Sequence, residues 1–108
     1  RKVFTYEDLH KLIDEDCLGR GQLLNAEGET CVVGEMLLRA GVFRAEITRN
    51  CMPTDKQREV LRKNWPVHAI EDIANLMIAN DHADNLAARR QILHKLVKTF
   101  EKEDLNGL

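Results

Sequence analysis

Thr30-Cys31-Val32-Val33-Gly34-Glu35-Met36-Leu37-Leu38-Arg39-Ala40-Gly41 decides the fold. Thr30 stands where an N-cap hydroxyl belongs, and Gly41 where a helix commonly stops. Between them, at about 100° per residue, Val32, Val33, Met36, Leu37, Leu38 and Ala40 cover most of the circumference. Only Glu35 and Arg39 form a polar strip, paired at i,i+4. A helix that is apolar nearly all round belongs at the centre of a packed body. Gly34 within it costs roughly 1 kcal/mol against Ala, and that cost implies close approach by another helix or by backbone.

Outward from this centre the chain reads as helices. Thr5-Tyr6-Glu7-Asp8 opens the first, with Phe4 and Leu9 at staple positions, and Leu9, Leu12, Ile13 and Cys17 share a face. Gly19 and Gly21 end it. Residues 18–30 hold three glycines and little helical periodicity, which predicts a loop with one short strand pair around Gln22–Asn25 and Glu29–Cys31. The segment 42–48 is ambiguous between helix and loop.

Beyond Pro53, Thr54-Asp55-Lys56-Gln57 is a capping box opening a helix to about Asn64. After Pro66, Val67, Ile70, Ile73, Ala74, Met77 and Ile78 form an apolar stripe opposite His68, Asp72 and Asn75. Asn80-Asp81-His82-Ala83-Asp84 is turn-prone. A last helix over 85–104 carries Leu86, Leu93, Leu96, Val97 and Phe100 on one face, with residues 106–108 expected to fray. The expected architecture is mainly α: a compact single-domain bundle of about five helices over residues 1–108, with one short β-strand pair around residues 22–31.

Composition narrows the function classes. The chain has 108 residues, 44% apolar and 31% charged, which suits one globular core. Its net charge is −2. Residues 1–54 carry seven Lys/Arg against nine Asp/Glu and residues 55–108 nine of each, which excludes the basic excess of a bulk nucleic-acid binder. Cys17, Cys31 and Cys51 are odd in number and lack CxxC spacing, so reduced thiols and a cytoplasmic setting are expected. Arg1-Lys2 is followed by no signal-like apolar region, and no apolar run approaches the ~18 residues of a membrane span.

Few patterns carry chemistry. Cys31 at a helix N-terminus is a candidate nucleophile, because free amides and the helix dipole stabilise a thiolate. His82 is then the candidate base, with Asn80 or Asp81 orienting it, and the competing reading is a small buried core residue. Neither HxxxH, HExxH nor a Gly-rich phosphate loop occurs, so neither metal nor cofactor is expected. Arg89 falls inside the apolar arc of the last helix, where it needs a carboxylate or carbonyls. Asp81 and Asp84 are the natural partners, making Asn80, Asp81 and Arg89 a structural polar cluster. Arg90, His94, Lys98 and Lys102 step by four along the opposite face as a basic ridge. Lacking aromatics for stacking on bases, it suits an acidic protein surface better than nucleic acid.

Gly19 and Gly21, then Glu27-Gly28-Glu29-Thr30-Cys31-Val32-Val33-Gly34, and later Asn80-Asp81 before a terminal amphipathic helix, resemble a group of small bacterial and phage proteins. Those proteins share a Gly-x-x-Cys-hydrophobic-hydrophobic-Gly segment and a later Asn-Asp. Here Glu35 follows the glycine where a small residue is usual, and Ala79 precedes Asn-Asp where an aromatic often stands. The resemblance implies that Cys31, Gly34, Asn80 and Asp81 meet in one place, and supplies no reaction. The balance of features favours a non-enzymatic helical protein that binds a macromolecular partner, as a regulator or inhibitor. The alternatives are a cysteine-dependent hydrolase or transferase using Cys31, and a self-associating subunit if Trp65, Phe43 and Val42 form an exposed patch.

Overall fold

The computed structural model describes residues 2–16, 19–47 and 51–106. Six helices follow one another: α1 (Tyr6–Glu15), α2 (Val32–Arg39), α3 (Arg44–Ile47), α4 (Asp55–Asn64), α5 (Ile70–Asp81) and α6 (Leu86–Asn106). The bundle is mainly α, as expected, with the short α3 filling the ambiguous segment; Thr48 lies outside the described residues. Fraying is not what Asn106 shows, since α6 reaches it, while residues 107–108 are also outside.

Local chemistry sets most boundaries. Thr5 and Asp8 form a reciprocal capping box on α1, the Thr5 hydroxyl accepting from the Asp8 N–H at 3.1 Å and the Asp8 carboxylate from the Thr5 N–H at 2.9 Å. Thr54 and Gln57 do the same for α4. Trp65, preceding Pro66, is extended (φ −115, ψ 155), and α4 stops there. Asp72 caps α5, its carboxylate accepting from the N–H groups of His68 and Ala69.

One cap differs from expectation. At α2 the N-cap is Cys31, not Thr30: its Sγ accepts from the Gly34 N–H at 3.4 Å, while Thr30 donates its hydroxyl to Glu35. Phe4 packs against the core and lies flat on Trp65, with ring centroids 4.1 Å apart.

α2 is central, packing against α1, α4 and α5, and α6 lies along α1 and α5. One core runs through all of these, including Leu9, Leu12, Ile13, Val33, Met36, Leu37, Leu61, Ile73, Leu76, Leu93 and Val97. Trp65 is fully buried, and its indole N–H donates to the Met36 carbonyl at 3.0 Å, tying α4 to α2. The radius of gyration, 12.8 Å, matches a single compact body of this length. Cys17, expected on the inner face of α1, lies outside the described residues.

The expected strand pair reduces to one antiparallel bridge, Leu24 with Thr30. The Asn25 side chain explains why it goes no further. Its Oδ1 accepts from the N–H of Glu27 and of Glu29, closing a tight turn with Gly28 at φ +82. On the other side of the bridge the chain already turns into α2.

Gly34 has the close backbone approach its cost implied. A Cβ there would lie 2.0 Å from the Leu23 carbonyl oxygen, which accepts from the Cys31 N–H. Gly34→Ala is therefore expected to lower unfolding free energy by at least ~2 kcal/mol, despite the better helix propensity of alanine. Urea denaturation measures it, and an unchanged or raised midpoint would show that the loop yields freely.

Candidate functional site

The polar residues singled out in the sequence are brought together around Asn80. This side chain is fully buried near the end of α5. Its Oδ1 accepts from the Val32 N–H at 3.0 Å, one of the otherwise unpaired amides of the first turn of α2. Its Nδ2 donates to the Gly19 carbonyl at 2.7 Å and to the Asp81 carboxylate at 3.1 Å. That same Asp81 oxygen accepts from the Gly21 N–H, and Arg20 donates to the Asp81 carbonyl and pairs with Asp84. One buried amide thus joins α5, the start of α2 and the loop after α1.

Arg89 is buried as its place in the α6 arc required. The carboxylates chosen for it, however, serve elsewhere among the described residues: Asp81 meets Gly21 and Asn80, and Asp84 meets Arg20. Arg20 on the adjoining loop pairs with the exposed Asp84 carboxylate, while the Asp81 carboxylate is taken by the Gly21 N–H and the Asn80 amide.

Cys31 sits beside this cluster and is 2% exposed. Burial pushes its thiol up to about 11, with the Asp81 carboxylate pushing the same way and the N–H groups of Gly34 and Val33 opposing. Desolvation outweighs the helix N-terminus, so the thiol remains neutral. The imidazoles are occupied elsewhere: His10 with His94, His68 with Asp104, while His82 opens on a groove between α5 and α6. No described hydrogen bond joins Cys31 to a histidine. The arrangement anticipated for a cysteine nucleophile, with His82 as base, is not formed.

Nor is the basic ridge one free stripe. Arg90 is half-buried and donates to the Ile13 and Asp16 carbonyls at 2.9 and 2.8 Å, capping the C-terminus of α1, which has no basic residue of its own in its last turn. His94 contacts Asp14 and His10. Of the four residues, Lys98 and Lys102 face solvent. The self-association patch also fails to form as expected: Trp65 is buried and Val42 half-buried, leaving only Phe43 exposed, at 74%.

An apolar surface that the sequence reading missed lies on α5. The stripe expected to face inward included Ile70, Ala74 and Ile78, but Ile70 and Ile78 are 56% and 65% exposed. Val67 and Ile73 of that stripe are buried as expected, and Leu76, Ala79 and Asn80, outside it, complete the face turned to the core. The buried face is therefore the expected stripe turned partway round the helix, a turn that apolar periodicity does not fix and Asn80 does, because its amide must reach Val32 and Gly19.

The displaced face opens on a groove of about 500 Å³, with Ile78 on one wall and Ile92 and Leu96 of α6 on the other. Its rim bears His82, Lys95, Asn75 and Thr99, and among the described residues no carboxylate lines it. On the far side of Ile78 a second depression exposes Met52, Met77 and Cys51.

No family model matches the chain, and no curated protein or solved structure matches it. Among the described residues, no helix is long and apolar enough to cross a membrane, and no group of three or more His, Cys, Asp or Glu is placed to hold a metal ion.

Three outcomes follow from the buried cluster. Replacing Asn80 by alanine leaves the Val32 N–H and Gly19 carbonyl unpaired and should cost about 3 kcal/mol, read from urea denaturation; a loss below ~0.5 kcal/mol would mean that water replaces the amide. Because the folded Cys31 thiol ionises above its ordinary 9.0, the folded state retains a proton that the unfolded chain releases. The stabilisation is fully present below pH 9 and is lost as pH rises toward 11, and Cys31→Ala should flatten that slope. In the folded protein at pH 8, iodoacetamide should label exposed Cys51 well before Cys31, as mass spectrometry would show.

Proposed function

We propose that this is a non-enzymatic protein that binds a macromolecular partner, receiving an apolar, acid-flanked helical segment of another protein in the groove between α5 and α6. The observation that carries this reading is the second apolar face of α5, where Ile78 stands 65% exposed between two depressions. Contiguous exposed apolar surface of this kind marks interaction sites on small soluble domains. Two helices framing a trough suit a third amphipathic helix. Met52 and Met77 extend the surface with side chains that adapt to the shape of what they meet.

Charge selects the partner. Lys95 and His82 flank the apolar floor without an opposing carboxylate, so an occupant with Asp or Glu beside its apolar anchors is favoured. A second copy of this chain would bring the same cationic rim. Lys98, exposed one turn beyond Lys95, extends the positive field along α6. A regulator or inhibitor acting in a reducing cytoplasm fits this reading, since occupying a partner's helix is enough to block it. The cysteine-enzyme alternative loses support from the buried, neutral thiol of Cys31, which no described hydrogen bond joins to a histidine.

The test uses fluorescent amphipathic helical peptides with Leu at i, i+3 and i+7, flanked by Glu in one set and Lys in the other. The Glu set should bind more tightly, and more so at low salt. Ile78→Glu and Leu96→Glu should each weaken that binding at least tenfold, or about 1.4 kcal/mol. Lys95→Glu should reverse the preference between sets. Failure of both sets to bind, or a wild-type dimer in sedimentation that Ile78→Glu dissociates, would overturn this assignment, the dimer pointing to self-association.

A further inference from the structure

His10 on α1 and His94 on α6 meet Nδ1 to Nδ1 at 2.6 Å. Their ring planes lie within 20° and their centroids 4.9 Å apart, which is what two imidazole radii and the nitrogen contact together span. The rings therefore meet edge to edge in nearly one plane, in the geometry of an in-line N–H···N hydrogen bond and not of a stack. Each outer nitrogen faces a carboxylate: His94 Nε2 lies 2.6 Å from Asp14 and His10 Nε2 3.0 Å from Glu101. Both rings are 24% exposed and accessible from a shallow depression that Gln91, Lys95 and Lys98 also line.

Counting protons decides what holds this pair. A carboxylate only accepts, so each Nε2 carries its hydrogen. In neutral rings both Nδ1 atoms would then be acceptors, and two lone pairs would face each other at 2.6 Å. One proton between them removes the conflict and gives a pair with three protons and a single positive charge. A fourth would set two N–H donors against each other. Asp14 and Glu101 favour the positive charge, while Lys95 and Lys98 on the rim and Arg90, one turn before His94 on α6, oppose a second one.

We propose that His10 and His94 hold one shared proton between Asp14 and Glu101, and that this contact is a pH-sensitive latch joining α1 to α6. The latch is closed in the singly charged state. Acid opens it by adding the fourth proton. Alkali weakens it by removing the third, which forces one ring to turn its remaining hydrogen inward and abandon its carboxylate.

The direct test is imidazole ¹⁵N NMR on the wild-type protein between pH 4 and 9. Near pH 7 both Nε2 signals should be those of protonated nitrogen. Both Nδ1 signals should lie midway between protonated and unprotonated values, with one strongly deshielded proton coupled to them. A thermal-denaturation cycle of His10→Gln, His94→Gln and the double variant should show coupling of roughly tenfold in the unfolding equilibrium at pH 7, vanishing at pH 4. Two independent single-proton titrations would overturn the proposal. So would a Zn²⁺-dependent rise in melting midpoint with both Nδ1 atoms unprotonated, which would make the pair a metal site instead.

Discussion

The amide of Asn80 holds the start of α2 and the loop after α1 in one grip, and the rest of the architecture is arranged around it. A buried carboxamide is stabilising only when its donors and its acceptor are all satisfied. Here Val32 supplies an amide that α2 cannot pair within itself, Gly19 supplies a carbonyl, and Asp81 takes the second hydrogen. The glycines are consequences of that grip. Gly34 lets the Leu23 backbone cross the first turn of α2, which brings residues 19–24 close enough for the amide to reach both sides.

This constraint is rotational as well as local. With Asn80 inward, Ile73 and Leu76, seven and four residues earlier, turn inward too, and the row Ile70, Ala74, Ile78, roughly 100° away around the helix, is left outside. A soluble helix with two apolar rows ordinarily buries both. Leaving one open beside Ile92 and Leu96 creates the groove on which the proposed partner recognition rests. Cross-helix contacts tie α6 to α1, where Arg90 caps the helix end and the histidine pair bridges the seam.

Much of this was legible in the sequence where the controlling interaction is local. The capping boxes at Thr5 and Thr54 needed only neighbouring residues, and the central place of α2 needed only its all-round apolarity. Even the glycine at 34 announced a close contact by its cost. What escaped was set by pairing across long separations. The orientation of α5 depended on a bond spanning 48 residues, and Arg90 resembled a surface cation because its carbonyl partners lie 77 and 74 positions away. Cys31 looked activated because an N-terminal dipole is visible in sequence whereas desolvation is not. The groove was invisible for the same reason as the α5 rotation, since either apolar row was an acceptable core face.

That rotation is therefore the claim to test, and selectively ¹³C-methyl-labelled isoleucine with a soluble paramagnetic probe tests it directly. The account predicts strong relaxation of the Ile70 and Ile78 methyls, with Ile73, Ile13 and Ile47 protected. Protection of Ile70 and Ile78 together with relaxation of Ile73 would mean that α5 presents its other face to the core. The Asn80 lock and the groove it exposes would then both be wrong.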